Sequence, residues 1–259
     1  MEEKTSVIKE KLQAASYNEL PSFISEYEKD ERKAIRALVA SAKKKADAYE
    51  KELKRLENMQ IYERKYEDQG LICGIDEVGR GPLAGPVVAG AVILPKDCEI
   101  LYINDSKQLS EKKREELYDE IMEKSLATGI GMAAPERIDE INILNATYEA
   151  MREAISKLSL KPAVLLNDAV TIPGLDRSFW QVPIIKGDAK SRSIAAASII
   201  AKVTRDRMMV EYDEVFPGYG FASNKGYGAT AHIEALKKSG PCPIHRRSFI
   251  GNFVDISTL

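Results

Sequence analysis

The sequence predicts an α/β fold in which helices cover a mixed central sheet. Two short apolar runs, residues 71–75 and 87–94, enclose a loop rich in glycine and proline at residues 79–86, which indicates a β-hairpin. Later apolar runs alternate with segments of helical pattern: residues 129–134, 163–166 and 182–185. A hairpin followed by alternating helices and strands is typical of layered α/β domains with a mixed sheet.

The first 69 residues predict a helical, charged N-terminal extension ahead of a second domain at residues 70–259. No glycine precedes Gly70, and a helical pattern covers residues 5–15, 21–27 and about 30–66. Residues 32–65 hold 11 basic and 5 acidic side chains. This excess indicates either a solvated helix face or a basic arm that contacts phosphate groups.

Several helices are predicted among and after the later strands. Ser110 is a suitable N-cap for a helix over residues 111–125, and Pro135 stands where another helix would begin. Residues 144–157 have a strong helical pattern. A last long helix over residues 193–216 has a face of small side chains, which lets a helix lie close to a sheet: Ala195, Ala196, Ala197, Ser198 and Ala201.

Composition excludes several classes of protein. The net charge is only −2, so any nucleic-acid surface has to be a local patch. The cysteines stand far apart with no C-x-x-C pair, which predicts free thiols in a reducing compartment: Cys73, Cys98 and Cys242. The charged first residues exclude a signal peptide, and no apolar run is long enough to span a bilayer. We therefore expect a cytoplasmic protein without membrane contact.

Two adjacent carboxylates, Asp76 and Glu77, stand at the end of the first apolar run, beside the glycine-rich turn. Neighbouring side chains of a strand point to opposite faces, so the two acids can share a site only where the strand gives way to the turn. Residues 79–84 also match the G-x-G-x-x-A dinucleotide fingerprint. We reject that match because prolines and a further strand follow, where the fingerprint requires a helix.

Two further acids also follow apolar runs. Asp168 comes after residues 163–166, and Asp188 comes after residues 182–185. Each alone is typical of a turn or a helix cap. Together, however, three apolar runs end in acids, and strand ends at one edge of an open α/β sheet line the ligand crevice.

Three or four carboxylates at one edge would repel one another unless a cation lay between them. Oxygen ligands suit Mg²⁺ or Mn²⁺ better than zinc. Two such ions, about 3.5–4 Å apart, can activate a water molecule and stabilise a leaving oxygen. The acids therefore predict metal-assisted phosphoryl chemistry.

The loop at residues 223–228 places glycines around a lysine and a tyrosine. Tyr227 could stack on a sugar or base, and Lys225 could contact a phosphate. The alternative is an ordinary surface loop. His232 and His245 are the only histidines, and their separation in the sequence favours structural or peripheral roles.

Residues 71–250 resemble the ribonuclease HII family. The resemblance covers residues 74–86 (GIDEVGRGPLAGP), 105–110 (DSKQLS), 186–188 (KGD), 195–206 (AAASIIAKVTRD), 224–228 (NKGYG) and 245–249 (HRRSF), together with Asp168. Several long motifs in the same order make the resemblance highly specific. It implies a ribonuclease H-like fold for residues 70–259, with a helical substrate-binding part at the C-terminal end. The resemblance says little about the first 70 residues.

The resemblance also implies roles for individual residues. It implies that four acids hold the metal and carry the catalysis: Asp76, Glu77, Asp168 and Asp188. It assigns the turn that reads the 2′-hydroxyl and the other substrate contacts to Gly79, Arg80, Gly81, Tyr227, Lys225 and Lys107. The implied cofactor is Mg²⁺ or Mn²⁺, with two ions when substrate is bound.

The implied activity is hydrolysis of the RNA strand of RNA–DNA hybrids. It includes cleavage 5′ to single ribonucleotides in duplex DNA, which leaves 3′-hydroxyl and 5′-phosphate ends and serves ribonucleotide excision repair and DNA replication. The implied enzyme is a monomer that binds both kinds of duplex. Alternatives are a related metal nuclease that acts on all-DNA substrates and a non-catalytic nucleic-acid binder with the same fold.

Three positions refine the resemblance. Arg80 favours ribonuclease HII over the related ribonuclease HIII, which carries lysine at this place in the turn. Asn167 and Ala169 flank Asp168 where the family more often shows valine and glycine.

Overall fold

The computed structural model describes residues 3–255, and the chain forms two compact units, residues 1–58 and 59–259. The first unit contains helices α1 (Thr5–Ala14), α2 (Leu20–Tyr27) and α3 (Lys33–Asn58). The two shorter helices agree with the sequence to within one residue. The long helical run does not continue to residue 66, because α3 ends at Asn58 and a separate helix, α4 (Ile61–Tyr66), belongs to the second unit.

The core of the first unit lies between its three helices. On α3 the buried side chains recur at helical spacing, as Ile35, Val39 and Ala42 show. They pack with side chains from the two shorter helices: Ile8, Leu12, Leu20, Phe23 and Tyr27. One face of α3 is therefore committed to this core, while the opposite face meets solvent.

The second unit is built on a five-stranded mixed sheet, as the sequence predicts. Its strands are β1 (Ile72–Val78), β2 (Val87–Ile93), β3 (Ala127–Ala133), β4 (Val164–Asp168) and β5 (Trp180–Ile184). Their order in the sheet is β3-β2-β1-β4-β5. The pairs β1–β2 and β2–β3 are antiparallel, whereas β1–β4 and β4–β5 are parallel. The predicted hairpin is thus confirmed.

Helices of the second unit follow the sequence closely. After α4 come α5 (Glu111–Lys124), α6 (Pro135–Ser156), α7 (Arg192–Val215), α8 (Phe221–Asn224), α9 (Thr230–Ser239) and α10 (Arg247–Ile250). Ser110 caps α5 as predicted, accepting a hydrogen bond from the Lys113 backbone N–H. Helix α6 is interrupted at Asn142, whose φ is 67°. The two helical segments predicted around this point are therefore separate helical stretches.

Helices α6 and α7 pack against the sheet closely because glycines face them. A Cβ added at Gly74 would come within 2.0 Å of the Ser193 backbone, and one at Gly90 within 2.4 Å of the Ala197 carbonyl oxygen. On the α6 side, a Cβ at Gly131 would come within 2.0 Å of the Ala150 carbonyl oxygen. The small face predicted for α7 is entirely buried. Within residues 3–255, no helix is both long enough and apolar enough to cross a membrane.

Candidate active site

The parallel strands β1, β4 and β5 end at the same edge of the sheet. Ile75 pairs with Asn167, so the next residues, Asp76 and Asp168, stand side by side on adjacent strands. Asp168 pairs with Ile184 of β5, and the turn that carries Asp188 follows β5. The structure therefore brings acids from three distant stretches of chain to one edge.

Asp76 is almost fully buried, with 6% of its surface exposed. Its Oδ1 accepts the Glu77 backbone N–H at 2.8 Å. Ser198 on α7 lies close enough to the carboxylate to lower its pKa, and its Oγ lies 2.8 Å from Ser106 Oγ. Burial, followed by the charges of Glu77 and Asp168, raises the pKa of Asp76 well above its usual range.

Glu77 follows Asp76 within the same strand, and β1 continues to Val78 before the turn begins. Alternation in the strand directs Asp76 towards the α7 side and Glu77 towards the other. Burial raises the pKa of Glu77, and Asp168 raises it further, against the opposing charge of Arg80. Arg80 Nη1 lies 3.3 Å from Glu77 Oε1. The expectation that the strand gives way to the turn at these two acids is therefore wrong, because β1 continues past both, and the charge of Asp168 raises the pKa of each within the strand.

The remaining two acids are joined through the turn after β5. Asp168 Oδ1 accepts the Gly187 backbone N–H at 2.7 Å. A Cβ at Gly187 would come within 2.5 Å of Ile194 Cδ1 and 3.3 Å of Asp168 Oδ1, so this glycine lies close to both the acid and α7. Asp188 is half-buried, and burial together with Asp105 and Asp168 raises its pKa.

Lys107 is the cation that balances part of this negative field. Burial by itself would lower the pKa of Lys107, but Asp105, Asp76 and Asp188 outweigh it and raise that pKa. Asp105 also accepts the Lys107 backbone N–H at 2.9 Å. The sequence reasoning missed Asp105 as a site residue because no apolar strand precedes it, although it opens the DSKQLS motif.

The donor set fits a hard divalent cation. Within residues 3–255, no three acidic, histidine or cysteine side chains converge closely enough to enclose a metal unaided. The charge of Asp168 nevertheless helps to raise the pKa of Asp76, Glu77 and Asp188, which is the signature of carboxylates crowded without a counterion. Mg²⁺ and ions like it take a few carboxylates and complete their shell with water and phosphate oxygens. These residues could hold such an ion.

The glycine-rich turn after β1 is held by two arginines that are fully buried, Arg205 and Arg246. Arg246 donates to the carbonyls of Gly79, Arg80 and Gly85. Arg205 donates to three more carbonyls of the turn and the neighbouring loop: Ala84, Pro86 and Lys225. Gly79 has a φ of 91°, and a Cβ there would come within 2.3 Å of Arg205 Nε. The backbone of the turn and the side chains of the two arginines therefore pack closely against each other.

The loop that carries Tyr227 and Lys225 lies beside this turn. A Cβ added at Gly81 would stand 4.0 Å from Tyr227 Cε1, and 42% of the tyrosine is exposed. The Arg205 guanidinium carbon lies 5.9 Å from the centre of the Tyr227 ring. Lys225 differs from expectation, because its ammonium donates to the Ala222 carbonyl of its own loop.

The two histidines form a buried pair beneath the Tyr227 loop, in line with the structural role expected from the sequence. Their Nε2 atoms are 3.0 Å apart, and His232 Nδ1 lies 2.8 Å from the Tyr227 carbonyl oxygen. His245 Nδ1 accepts the Cys242 backbone N–H at 3.0 Å. The pair therefore joins the Tyr227 loop to the segment that carries Arg246.

Comparison with known proteins identifies the family to which the chain belongs. A family model described as Ribonuclease HII matches residues 73–252. The chain belongs to the ribonuclease HII family. Ribonuclease HII enzymes are metal-dependent endoribonucleases of the ribonuclease H type, and they degrade the RNA of RNA–DNA hybrids.

A second model, described as Ribonuclease HII N-terminal domain, matches residues 4–67. This match corrects the expectation from sequence that the family says little about the first 70 residues. The helical N-terminal part is itself a recognised domain of ribonuclease HII.

Individual relatives agree with the family models. The chain is 68% identical over 226 residues to ribonuclease HII of Lachnoclostridium phytofermentans, which covers 87% of this chain and 88% of that protein. The crystal structure of ribonuclease H2 from Pyrococcus horikoshii OT3 matches with a TM-score of 0.59 at 30% identity, over 69% of this chain and 93% of the other.

A more distant structure, Bst-RNase HIII in complex with Mn²⁺, matches with a TM-score of 0.52 at 17% identity. The alignment covers 66% of this chain and 63% of that one, and it indicates shared fold only. With the ribonuclease H2 match, it confirms the ribonuclease H-like fold expected for the second unit.

Proposed function

We propose that this ribonuclease cuts the phosphodiester bond on the 5′ side of a ribonucleotide, in RNA–DNA hybrids and at single ribonucleotides within duplex DNA. The products would carry 3′-hydroxyl and 5′-phosphate ends. The observation that carries the proposal is the placement of the four acids at one sheet edge, where β1 leads directly into the arginine-held turn at residues 79–81. The hydrolytic group and the sugar-reading group would then act on adjacent atoms.

The four acids are proposed to hold Mg²⁺ or Mn²⁺, with two ions when substrate is bound: Asp76, Glu77, Asp168 and Asp188. When bound, a divalent ion supplies an activated water molecule and neutralises charge on the phosphate. The hydrogen bonds from the Glu77 backbone N–H to Asp76 and from the Gly187 backbone N–H to Asp168 orient these carboxylates. Oriented carboxylates lose less freedom when they bind an ion, which favours a defined metal geometry.

The turn at residues 79–81 is proposed to read the 2′-hydroxyl through its backbone. A single hydroxyl distinguishes RNA from DNA at one position, so the group that reads it has to be rigid. Arg246 provides this rigidity because it holds the Gly79 and Arg80 carbonyls while itself fully buried. A rigid backbone reader also explains why the chain needs no strong overall positive charge.

Three side chains are proposed to position the rest of the substrate. Tyr227 stands exposed beside Gly81, where its ring can stack against a sugar or base. Lys107 lies in the field of the acids, so it can contact the phosphate that they receive. Lys225 would first have to release the Ala222 carbonyl before its ammonium could contact a phosphate.

A duplex with one ribonucleotide, compared with an all-DNA duplex of the same sequence, tests this proposal. We expect one cut, 5′ to the ribonucleotide, with a 3′-hydroxyl on one product and a 5′-phosphate on the other. Equal cutting of both duplexes would instead favour a nuclease of all-DNA substrates. If neither this duplex nor a long hybrid is cut with Mg²⁺ or Mn²⁺ supplied, a non-catalytic binder is favoured.

Substitution of single acids tests the metal assignment in the same assay. Asp76→Asn and Asp188→Asn should each reduce cleavage on the order of 10³-fold, because each removes a charged oxygen that is proposed to bind the metal. This factor corresponds to about 4 kcal/mol of lost transition-state stabilisation. Circular dichroism should show that both variants remain folded. Full activity in either variant would refute its role as a ligand.

We also infer that the enzyme works as a monomer in the cytoplasm, in ribonucleotide excision repair and DNA replication. The cysteines support a reducing compartment because all three are free thiols: Cys73, Cys98 and Cys242. Light scattering of the purified protein should give the mass of one chain, and a mass of two chains would contradict the monomer.

A further inference from the structure

The segment that carries Lys107 is a single turn of 3₁₀ helix, Ser106–Gln108, ahead of α5. Asp105 caps this turn, because its carboxylate accepts the Lys107 backbone N–H and its carbonyl accepts that of Gln108, both at 2.9 Å. An isolated turn with so few hydrogen bonds is weakly held by itself. The side chain of Lys107 is exposed, so its position depends on what holds the turn in place.

The beginning of the turn is attached to the catalytic edge of the sheet. Ser106 is 3% exposed, and its Oγ lies 2.8 Å from Ser198 Oγ. Ser198 lies on α7 close to the Asp76 carboxylate. This contact fixes one side chain of the turn and leaves the backbone around Lys107 to be held by something else.

Arg114 of α5 holds that backbone. Its Nη1 donates to the Ser106 carbonyl at 3.1 Å and to the Leu109 carbonyl at 2.6 Å. These two carbonyls stand on either side of Lys107 in the chain. A single nitrogen therefore joins the two ends of the turn and restricts the backbone from which the lysine extends.

Asp206 of α7 orients the guanidinium of Arg114. Its Oδ2 lies 3.7 Å from Arg114 Nη2, and its Oδ1 accepts Lys202 Nζ at 2.6 Å. The side chains of Arg114 and Asp206 are only 14% and 8% exposed, so solvent screens this pair little. Arg114 therefore uses one terminal nitrogen for the turn and the other for the acid, which a lysine could not do with its single nitrogen.

We propose that Arg114, held by Asp206, is a positioning residue for Lys107 and sets where its ammonium stands relative to the acids. A group that acts on substrate has to be held within about 0.5 Å of its productive place, so a loosened turn reduces activity. This inference rests on the proposed function in taking Lys107 as a phosphate contact. Arg114 itself contacts the backbone of the turn and acts on substrate only through Lys107.

The alternative is that Arg114 merely links α5 to α7, and the chain offers a matched control for it. Arg207 of α7 pairs with Glu115 of α5. Its partners within residues 3–255, Glu115 and the ring of Tyr118, both lie on α5. Arg207→Gln therefore weakens the contact between the same two helices without removing a hydrogen bond from the Lys107 turn.

The first test measures kcat/KM on a single-ribonucleotide duplex for the wild type, Lys107→Gln, Arg114→Gln, the double variant and Arg207→Gln. Arg114→Gln should lower kcat/KM about 10-fold, and Lys107→Gln at least as much. The double variant should be no worse than Lys107→Gln alone, because Arg114 then has no lysine to position. Arg207→Gln should stay within about twofold of the wild type.

The second test follows the turn directly, by hydrogen exchange of the Lys107 and Gln108 backbone N–H groups without substrate. Arg114→Gln should speed their exchange at least about 10-fold, because the turn opens locally, and Arg207→Gln should leave it unchanged. Circular dichroism checks that the variants are folded. If Arg114→Gln does not fold, Arg114→Lys, which keeps the charge beside Asp206, replaces it in both tests.

Three results would overturn the proposal: losses that multiply in the double variant, wild-type kcat/KM in Lys107→Gln, or unchanged exchange in Arg114→Gln. Equal effects of Arg114→Gln and Arg207→Gln would likewise reduce Arg114 to a link between helices. If the wild type cuts nothing, the proposed function fails, and the exchange rates alone decide whether Arg114 holds the turn.

Discussion

Ala169, the residue after Asp168, has a strained backbone conformation. Its φ is 55°, a left-handed conformation that is unfavourable for a residue with a Cβ. The conformation lets its N–H donate to the Ile184 carbonyl at 3.0 Å, which ties the end of β4 to β5 just beyond the acid. Glycine, which the resemblance to ribonuclease HII leads us to expect here, would adopt this conformation without strain.

Ala169→Gly should therefore raise the free energy of unfolding, by about 1 kcal/mol, because glycine adopts positive φ without penalty. Urea unfolding measures the difference. Ala231→Gly is the matched control, since Ala231 is exposed within the regular helix α9 and its loss should lower stability. A decrease in both variants would contradict strain at Ala169.

Asn167, the other departure beside Asp168, is fully buried. Its amide donates to the Val170 carbonyl and to Gln181 Oε1, both at 3.1 Å. Gln181 in turn bonds the backbone of Ile172. Where valine could only pack, asparagine connects β4 to the loop that follows it, so this change adds a polar network without altering the acid.

Among elements, the turn at residues 79–86 depends most on side chains from elsewhere. Arg246→Lys should lower kcat/KM for a single-ribonucleotide duplex at least about 10-fold, a loss of roughly 1.4 kcal/mol. Lysine cannot reproduce the planar fork that holds the Gly79, Arg80 and Gly85 carbonyls together. Mn²⁺ binding to the acids should stay unchanged, because the substitution acts on the turn alone.

Arg247→Lys provides the control, since the neighbouring Arg247 is exposed. It should leave kcat/KM within about twofold of the wild type, as expected for a surface substitution. Equal losses in the two variants would argue against Arg246 as the residue that positions the turn.

The buried histidine pair makes the stability of the second unit depend on pH. Burial and the neighbouring His232 lower the pKa of His245 from 6.5 to about 4. The unfolded chain then takes up a proton below pH 6.5 that the folded chain refuses until about pH 4. Stability from His245 is complete above pH 6.5 and is lost as pH falls towards 4, by about 2 kcal/mol between pH 7 and pH 5.

Urea unfolding of the wild type and His245→Gln at both pH values checks this prediction. The raised pKa of Asp76 acts in the opposite direction, because protonation of that acid favours the folded state at low pH. The difference between the two proteins isolates the histidine. An identical pH dependence in both would show that His245 keeps its ordinary pKa.

At the scale of the whole molecule, α4 belongs with the catalytic unit. Glu63 accepts hydrogen bonds from Ser191 Oγ at 2.6 Å and from the Ser193 backbone at 3.0 Å, at the start of α7. The Tyr66 ring lies 5.6 Å from that of Trp180. The change in composition near residue 70 therefore comes after residues that already support the second unit.

Two truncated chains test this assignment. A chain of residues 59–259 should be more stable than one of residues 68–259 by at least about 3 kcal/mol, because hydrogen bonds to a charged group contribute about 1.5–3 kcal/mol each. Thermal or urea unfolding of the two measures the difference. Equal stability would place α4 outside the folded unit.

The sequence predicted the strands, most helices and the meeting of acids at one sheet edge, because apolar periodicity and strand direction suffice for these. It did not predict the break after Asn58, since helical pattern continues across it. Nor could it identify Arg205 and Arg246 as buried, because charged residues are almost always exposed and only their six carbonyl partners make burial tolerable. The direction of the Lys225 ammonium is likewise a tertiary contact that local sequence does not encode.

Divalent metal is proposed to relieve the crowding of carboxylates from β1, β4 and the turn after β5. Titration with Mn²⁺ in the presence of an uncleavable hybrid, for the wild type and for Asp76→Asn, Asp168→Asn and Asp188→Asn, measures this most directly. Each substitution should weaken Mn²⁺ binding by about 10-fold or more, since each removes a charged oxygen donor. Wild-type affinity in Asp168→Asn or Asp188→Asn would mean that these acids do not share a metal with Asp76.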